Sequence, residues 1–284
     1  MMVPFRLASG TVITFRLAAF SSRLYSPRKM ALAVLVGPCL SLATIGSAPS
    51  HNKCHNLYEA MPGMSTRKKP LYAVVTGDVV GSSRLTTRQR RRLLAALQSG
   101  RGKLKKYFGD DLVGDVELFR GDSWQFVLSR PAPSARAALF YRASLRAEMA
   151  LRSVDSRVAI GVGGISLLPK ATIAAGDGEA FGLSGEALDS MPRTTRMRFR
   201  GPAVGEDLSA SIDVSLQLID ALASRWTARQ ALAVSGALLG WTQERIARAW
   251  FREKVTQQAV AQHLGRAGWS AIQAALLRTE SLLA

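Results

Sequence analysis

Apolar and polar positions change their spacing along the chain, and the changes mark out its elements. Leu71, Ala73, Val74 and Val75 form a short apolar run that ends at Gly77-Asp78, continues through Val79-Val80 and turns at Gly81-Ser82-Ser83. A run of this kind predicts a strand covered on both faces. Thr86 then stands as an N-cap before a helical pattern carried by Leu93, Leu94, Leu97, Leu104 and Tyr107, interrupted by Gly100 and Gly102. Two strand-like runs follow, Val113 to Phe119 and Trp124 to Leu128, and the Gly121-Asp122 between them predicts a tight hairpin. Next come a helix from Ser134 to Leu151, a glycine-rich strand over Arg157 to Ile165, a loop, a helix from Glu179 to Ser190 and a short strand, Met197 to Arg200. The strand glycines signal close approach, either by packed backbone or by a ligand.

The order βαββαβ, with a hairpin at its centre, predicts an α+β fold: a ferredoxin-like antiparallel sheet covered by helices, with one more helix and a short strand appended. In that arrangement the first strand and the hairpin are neighbours, so Asp78 and Asp122 are expected to face one point. Two converging carboxylates can bind one or two divalent cations. A small-residue turn ahead of a helix N-terminus can hold the phosphates that travel with them. Taken singly, Asp78 reads first as a turn or capping residue and Asp122 as a turn residue.

Residues 201–215 contain Gly, Pro and Ser and read as a linker. From Leu216 onward the pattern is helical throughout, with Ile219, Leu222, Trp226, Leu232, Leu238, Leu239 and Ile246 among its apolar positions. Near the end, Thr256 caps a short helix buried by Val260, Ala261 and Leu264 and broken at Gly265. Ser270 opens a second helix with Ile272, Leu276 and Leu277 facing inward. This is the outline of a helix-turn-helix, whose second helix enters the DNA major groove. Ser270, Gln273 and Arg278 are its candidates for base contacts, with Arg266 beside the phosphates. The alternative is a helix pair that only packs against the first domain or mediates dimerisation. His263 reads as an ordinary helix-surface residue.

Charge adds a partner class. The chain carries +18, with 38 basic and 20 acidic residues; nine of the basic and one of the acidic residues precede position 70, which leaves a net +10 beyond it. That surplus favours nucleic acid, phosphate ligands or a membrane surface. The two cysteines, Cys39 and Cys54, leave the rest of the chain without a disulfide framework or a cysteine-based zinc site. Residues 1–69 differ from all that follows. Arg28-Lys29, the apolar stretch from Met30 to Ala43 and the small residues Gly46-Ser47-Ala48 have the layout of a signal peptide, though the stretch is too short and interrupted for a membrane span. The preferred reading starts translation at Met64, whose Ser-Thr-Arg-Lys-Lys-Pro70 leads straight into the first strand. Residues 1–69 are then an extension, residues 70–205 the ferredoxin-like domain and residues 212–284 the helical domain of a cytoplasmic protein without a membrane partner.

The segments Gly77-Asp78-Val-Val-Gly81-Ser-Ser83, Gly121-Asp122-Ser-Trp-Gln-Phe126, Arg157-Val-Ala-Ile-Gly-Val-Gly163, Gly178-Glu-Ala-Phe181 and Glu186-Ala-Leu-Asp-Ser-Met191 together resemble the bacterial SatD family. The resemblance spans residues 70–284. More distantly, the first domain is similar to the catalytic domains of class III nucleotidyl cyclases and GGDEF-type diguanylate cyclases. That similarity implies Mg2+ held by Asp78 and Asp122, with the Val79 carbonyl as a further ligand. It also implies a nucleotide whose phosphates lie near Val79, Gly81, Ser82, Ser83 and Gly121, and a homodimer. The chain departs from the pattern where Gly182 replaces the transition-state Asn, Glu186 falls near the expected Arg, and Ser123 replaces the diguanylate Glu. Phosphoryl transfer needs positive donors aimed at developing charge. The expectation is therefore a regulator that binds nucleotide without turning it over and also binds DNA. The alternative is an active Mg2+-dependent nucleotidyl cyclase or transferase with a structural helical C-terminus.

Overall fold

The structure is a computed structural model. It describes residues 70–119, 121–151, 153–169, 172–250 and 253–284, together with the backbone of two N-terminal strands. These strands, β1 (Met2–Arg6) and β2 (Val12–Arg16), pair antiparallel in register Met2 to Arg16. The chain divides into two units, Met1–Ser65 and Thr66–Ala284. The signal-like stretch at 28–48 and Met64 lie outside the described residues.

The second unit is a mixed α/β structure. Its strands are β3 (Tyr72–Val80), β4 (Leu112–Phe119), β5 (Ser123–Leu128), β6 (Asp155–Gly163) and β7 (Met197–Arg200). They form one sheet in the order β4-β5-β3-β6-β7, antiparallel except for the parallel β6–β7 pair. The apolar run of β3 earns its central place because both faces are covered. Ala73, Val75 and Val79 point towards α1 (Thr87–Phe108) and α2 (Ser134–Met149), and Val74 points towards α3 (Glu179–Asp189). Helix α1 begins with Thr86 and Gln89 in a reciprocal capping box and runs unbroken through Gly100 and Gly102. The close approach foreseen for the glycines of β6 is made by backbone at Gly161, where a Cβ would stand 2.3 Å from the Ala180 carbonyl oxygen, and by the Glu179 side chain at Gly163.

The expected linker at 201–215 is corrected by the structure. After a 3-10 turn at Pro202–Val204, α4 (Glu206–Ala223) begins, and its Ile212, Leu216 and Ile219 are buried. The helix flanks β7, whose outer edge it closes with side chains: the Phe199 N–H donates to Asp213 at 2.8 Å and the Arg196 N–H to Asp220 at 2.6 Å. The remaining helices are α5 (Ala228–Leu238), α6 (Gln243–Arg248), α7 (Gln257–Arg266) and α8 (Trp269–Leu282). Their apolar residues, including Val234, Leu264, Ile272 and Leu276, belong to the same core as the inner face of the sheet.

A buried ionic network joins these parts. Arg142 of α2 is 1% exposed. It donates to both Asp155 carboxylate oxygens at 2.9 and 2.7 Å, to Asp220 at 2.8 Å and to the Ser224 hydroxyl at 2.9 Å. Arg146, one turn on, donates to Asp155 and to the Ser224 and Trp226 carbonyl oxygens. No described helix is long and apolar enough to cross a membrane.

Candidate functional site

The β3 turn and the β4–β5 hairpin meet at one end of the sheet. Asp78 pairs with Ser123 across the β3–β5 ladder, and the Val79 N–H donates to the Asp122 carbonyl at 3.0 Å. The turn itself is tight. Gly81 has φ +81°, and a Cβ there would stand 2.6 Å from the Ser153 carbonyl oxygen, so both the conformation and the space require glycine. Ser82 to Arg84 then make one 3-10 turn, and the Ser82 hydroxyl donates to Asp122 at 2.7 Å. Asp78 is braced from beneath, where the Trp124 indole N–H donates to the Ser156 hydroxyl at 3.2 Å and that hydroxyl donates to the Asp78 carbonyl at 2.8 Å.

These residues line a cleft of 610 Å³ that contains Asp78, Val79, Gly81, Ser82, Ser83 and Asp122 together with Arg157, Arg193 and Arg196. A smaller hollow of 320 Å³ shares Ser82, Ser83 and Asp122 and adds Gly121, Arg90, Leu93 and Leu94. All seven residues singled out in the sequence for metal or phosphate therefore line one of two adjoining hollows. Arg157, Arg193 and Arg196 were not singled out. Arg157 faces Asp78 directly across the β3–β6 register and grips both carboxylate oxygens, Nε to Oδ1 at 2.9 Å and Nη2 to Oδ2. The hydrogen bond to Asp78 is the main cause that raises the Arg157 guanidinium above its ordinary value. The Arg196 guanidinium donates to the Arg193 and Thr195 carbonyls, and Arg193 is exposed at the cleft wall. Cross-strand register was the one signal in the sequence that pointed to Arg157, and it requires knowing that β3 and β6 pair.

The donor set bears on the expected metal. Oxygen ligands suit Mg2+, which is commonly held by one or two carboxylates plus substrate phosphates. Among the described residues Asp122 accepts only from hydroxyls, Ser82 at 2.7 Å and Ser123 at 3.4 Å, whereas both Asp78 oxygens are engaged by Arg157. Among the described residues no group of three or more His, Cys, Asp or Glu is arranged to hold a metal. The residues fit one Mg2+ arriving on a phosphate at Asp122; a second, held by Asp78, requires Arg157 to leave. Gly182 and Glu186 lie on α3 and do not line the cleft, and Glu186 is instead 3.6 Å from Arg200.

At the C-terminus, Thr256 caps α7 by accepting from the Ala259 N–H, and Gly268 leads into α8. Helix α7 continues through Gly265 to Arg266, and α8 starts at Trp269 rather than Ser270. The turn is pinned by the Trp226 indole N–H, which donates to the Ala267 carbonyl at 3.0 Å. The far end of α8 is tied to α2 by a two-point ion pair, Arg136 to Glu280, with the longer bond at 2.9 Å. Arg266, Ser270, Gln273 and Arg278 are all exposed. At about 100° per residue, Gln273 and Arg278 lie roughly 140° apart around α8, so the two cannot both point at the centre of a groove. Leu277, expected to face inward, is 53% exposed on that open side, and Ile272 and Leu276 make the buried seam without it. His263 stacks on Trp250 at 5.6 Å between ring centroids; partial burial, then Arg229 and Arg266, push its pKa below the ordinary value.

A separate apolar cavity of 440 Å³ lies among α1, α2, α5 and α6, walled by Phe140, Leu232, Leu239, Trp241 and Ile246. At its polar end Ser99 and Lys103 both donate to Glu148. It shares no lining residue with the cleft and is not assigned the cleft's chemistry. Set against known proteins, the chain matches no family model and no curated protein significantly.

Proposed function

We propose that this protein is a SatD-like, two-part regulator in which a ferredoxin-like, cyclase-related domain senses a nucleotide and a helix-turn-helix formed by α7 and α8 binds DNA. The observation that carries the first half is the cleft. A glycine-serine turn, Asp122 and the guanidinium groups of Arg157, Arg193 and Arg196 surround one opening, and the arginines outnumber its two aspartates. Guanidinium groups in a fixed fork are well suited to phosphate oxygens. Asp78 acts here as a positioning residue that aims Arg157 into the cleft. Mg2+ would enter with the phosphates at Asp122 and neutralise part of their charge. The strand order β4-β5-β3-β6, antiparallel throughout, supports the ferredoxin-like assignment. The exposed face of α8 and the net +10 beyond residue 69 support DNA as the second ligand.

The test follows thermal stability and product formation of the full chain with ATP or GTP, with and without Mg2+, alongside Asp78→Asn, Asp122→Asn and Arg157→Ala. Stabilisation without turnover, weakened by Arg157→Ala and Asp122→Asn, is the expected result. Turnover abolished by the aspartate substitutions would make the protein an active nucleotidyl-transfer enzyme. No response to either nucleotide would remove the sensor reading. A gel shift over a salt series tests the other half: affinity that falls with salt and with Arg266→Ala or Gln273→Ala is expected, and no measurable affinity would refute it.

A further inference from the structure

Helix α4 buries one face and leaves the other open. Three large apolar residues on the open face are exposed, Val214 (55%), Leu218 (66%) and Leu222 (38%), and Ala210, Ser211 and Ala221 are exposed beside them. The exposed positions 207, 211, 214, 218, 221 and 225 follow alternating steps of four and three, the spacing of a helix-pairing seam. Asp207 in the first turn and Arg225 in the turn just past the end of α4 close the stripe, and neither has an ion-pair partner among the described residues. The Ser211 hydroxyl donates back to the Asp207 carbonyl at 2.8 Å, so its polar atom is already satisfied inside the helix.

The pattern reads the same in both directions. Positions 214 and 218, 211 and 221, 210 and 222, and 207 and 225 are each equidistant from position 216. We propose that α4 is the seam of a homodimer, two copies pairing α4 against α4 antiparallel about a two-fold axis level with residue 216. The axis sets Val214 of one copy against Leu218 of the other, Ala210 against Leu222, and Asp207 against Arg225. An isologous contact must present one self-complementary patch. This face does so in both apolar positions and charge, since the acidic end of each helix meets the basic end of its mate. Opposed helix dipoles add to the match. A different apolar partner would have no need for an acidic end and a basic end placed symmetrically about the stripe. The helix is 18 residues long, about 27 Å, and one such contact covers less than a standard interface of about 1,600 Å². The dimer is therefore a weak one that dissociates on dilution.

Sedimentation velocity of the full chain over a wide concentration range tests this. The wild-type protein should pass from monomer to dimer as concentration rises. Leu218→Glu puts a carboxylate on the seam of both copies and should weaken the dimer by roughly a hundredfold or more. The fold should stay intact because Leu218 is largely exposed and belongs to no buried core cluster. Asp207→Arg alone and Arg225→Asp alone should each weaken the dimer, and the two together should restore it. A chain that stays monomeric throughout overturns the proposal. So does a dimer indifferent to Leu218→Glu, or a double charge reversal no better than the single changes.

Discussion

Arg142 offers a substitution whose cost can be worked from the geometry. Changing Arg142→Met keeps most of the side-chain volume and removes four hydrogen bonds, two to Asp155 and one each to Asp220 and Ser224. The consequences for the two aspartates differ. Asp155 retains Arg146, whose Nη1 is 2.9 Å away, and the Ser156 N–H. Asp220 is left with neutral donors only, the Ser224 hydroxyl at 2.8 Å and the Arg196 N–H at 2.6 Å, and it is 5% exposed. Removing one partner of a buried ion pair costs about 3–5 kcal/mol. Since one of the two carboxylates stays neutralised, the lower end is expected, about 3 kcal/mol. In a unit of this size that lowers Tm by roughly 6–12 °C. Guanidinium unfolding followed by tryptophan fluorescence, with calorimetry beside it, measures the loss. Arg142→Met with Asp220→Leu should recover part of it, because the orphaned charge is then gone. A single-substitution cost below about 1 kcal/mol would refute the account, since it would mean that the carboxylates find water or other donors at no expense.

Three further outcomes are expected. Burial works to raise the Asp155 carboxyl, but Arg142 and Arg146 outweigh it and hold the group below its ordinary value. A depressed carboxyl stabilises the fold above its unfolded pKa, so that contribution is lost as pH falls through the folded value, and in acid titrations Asp155→Asn should flatten the loss below about pH 4. Gly161→Ala would place its Cβ 2.3 Å from the Ala180 carbonyl oxygen and 2.5 Å from the Ser184 nitrogen, and should cost roughly 1–3 kcal/mol in equilibrium unfolding as α3 is pushed from the sheet. Arg136→Ala releases Glu280, so amide exchange should speed up at the end of α8 while global stability changes by no more than about 1 kcal/mol, the pair being partly exposed.

How much was legible in the chain depends on which force placed each element. The strands β3, β5 and β6 were readable because burial on both faces leaves little room for polar residues, and Asp78 and Asp122 stood out as the exceptions at their ends. Helix α1 was readable from Thr86 and from a leucine pattern strong enough to carry two glycines. The first half of α4 was missed. Its buried face mixes Ile212, Leu216 and Ile219 with the carboxylates of Asp213 and Asp220, which are satisfied by partners far away in the chain. A count of apolar periodicity sees only half of such a face, and Ser209, Ser211 and Ser215 completed the appearance of a linker. Arg142 and Arg146 were hidden for the same reason, being polar residues on a helix whose cost is offset only in the tertiary structure. In the cleft the acidic members were visible from turn chemistry, but Arg157, Arg193 and Arg196 depend on strand register and on the path of the 192–196 loop. The exposure of Leu277 was out of reach because α8 buries only a narrow seam.

The carboxylates on the outer edge of β7 bear on how this protein avoids misassembly. A sheet has two margins, and each open margin can recruit a strand from another chain. On the β7 side the Phe199 N–H already donates to Asp213, and the Arg196 N–H just before the strand donates to Asp220, so an incoming strand would have to displace a helix-borne acid to pair there. Growth is thereby directed to the opposite margin, β4, where the ladder loses register between Val113 and Glu117 and the Glu117 side chain is occupied with Thr172 and Ile173. An irregular margin is a poor template. Taking the acid away, as in Asp213→Ala, would remove the guard at Phe199. Aggregation of that variant should then begin as strand addition at that end of the sheet.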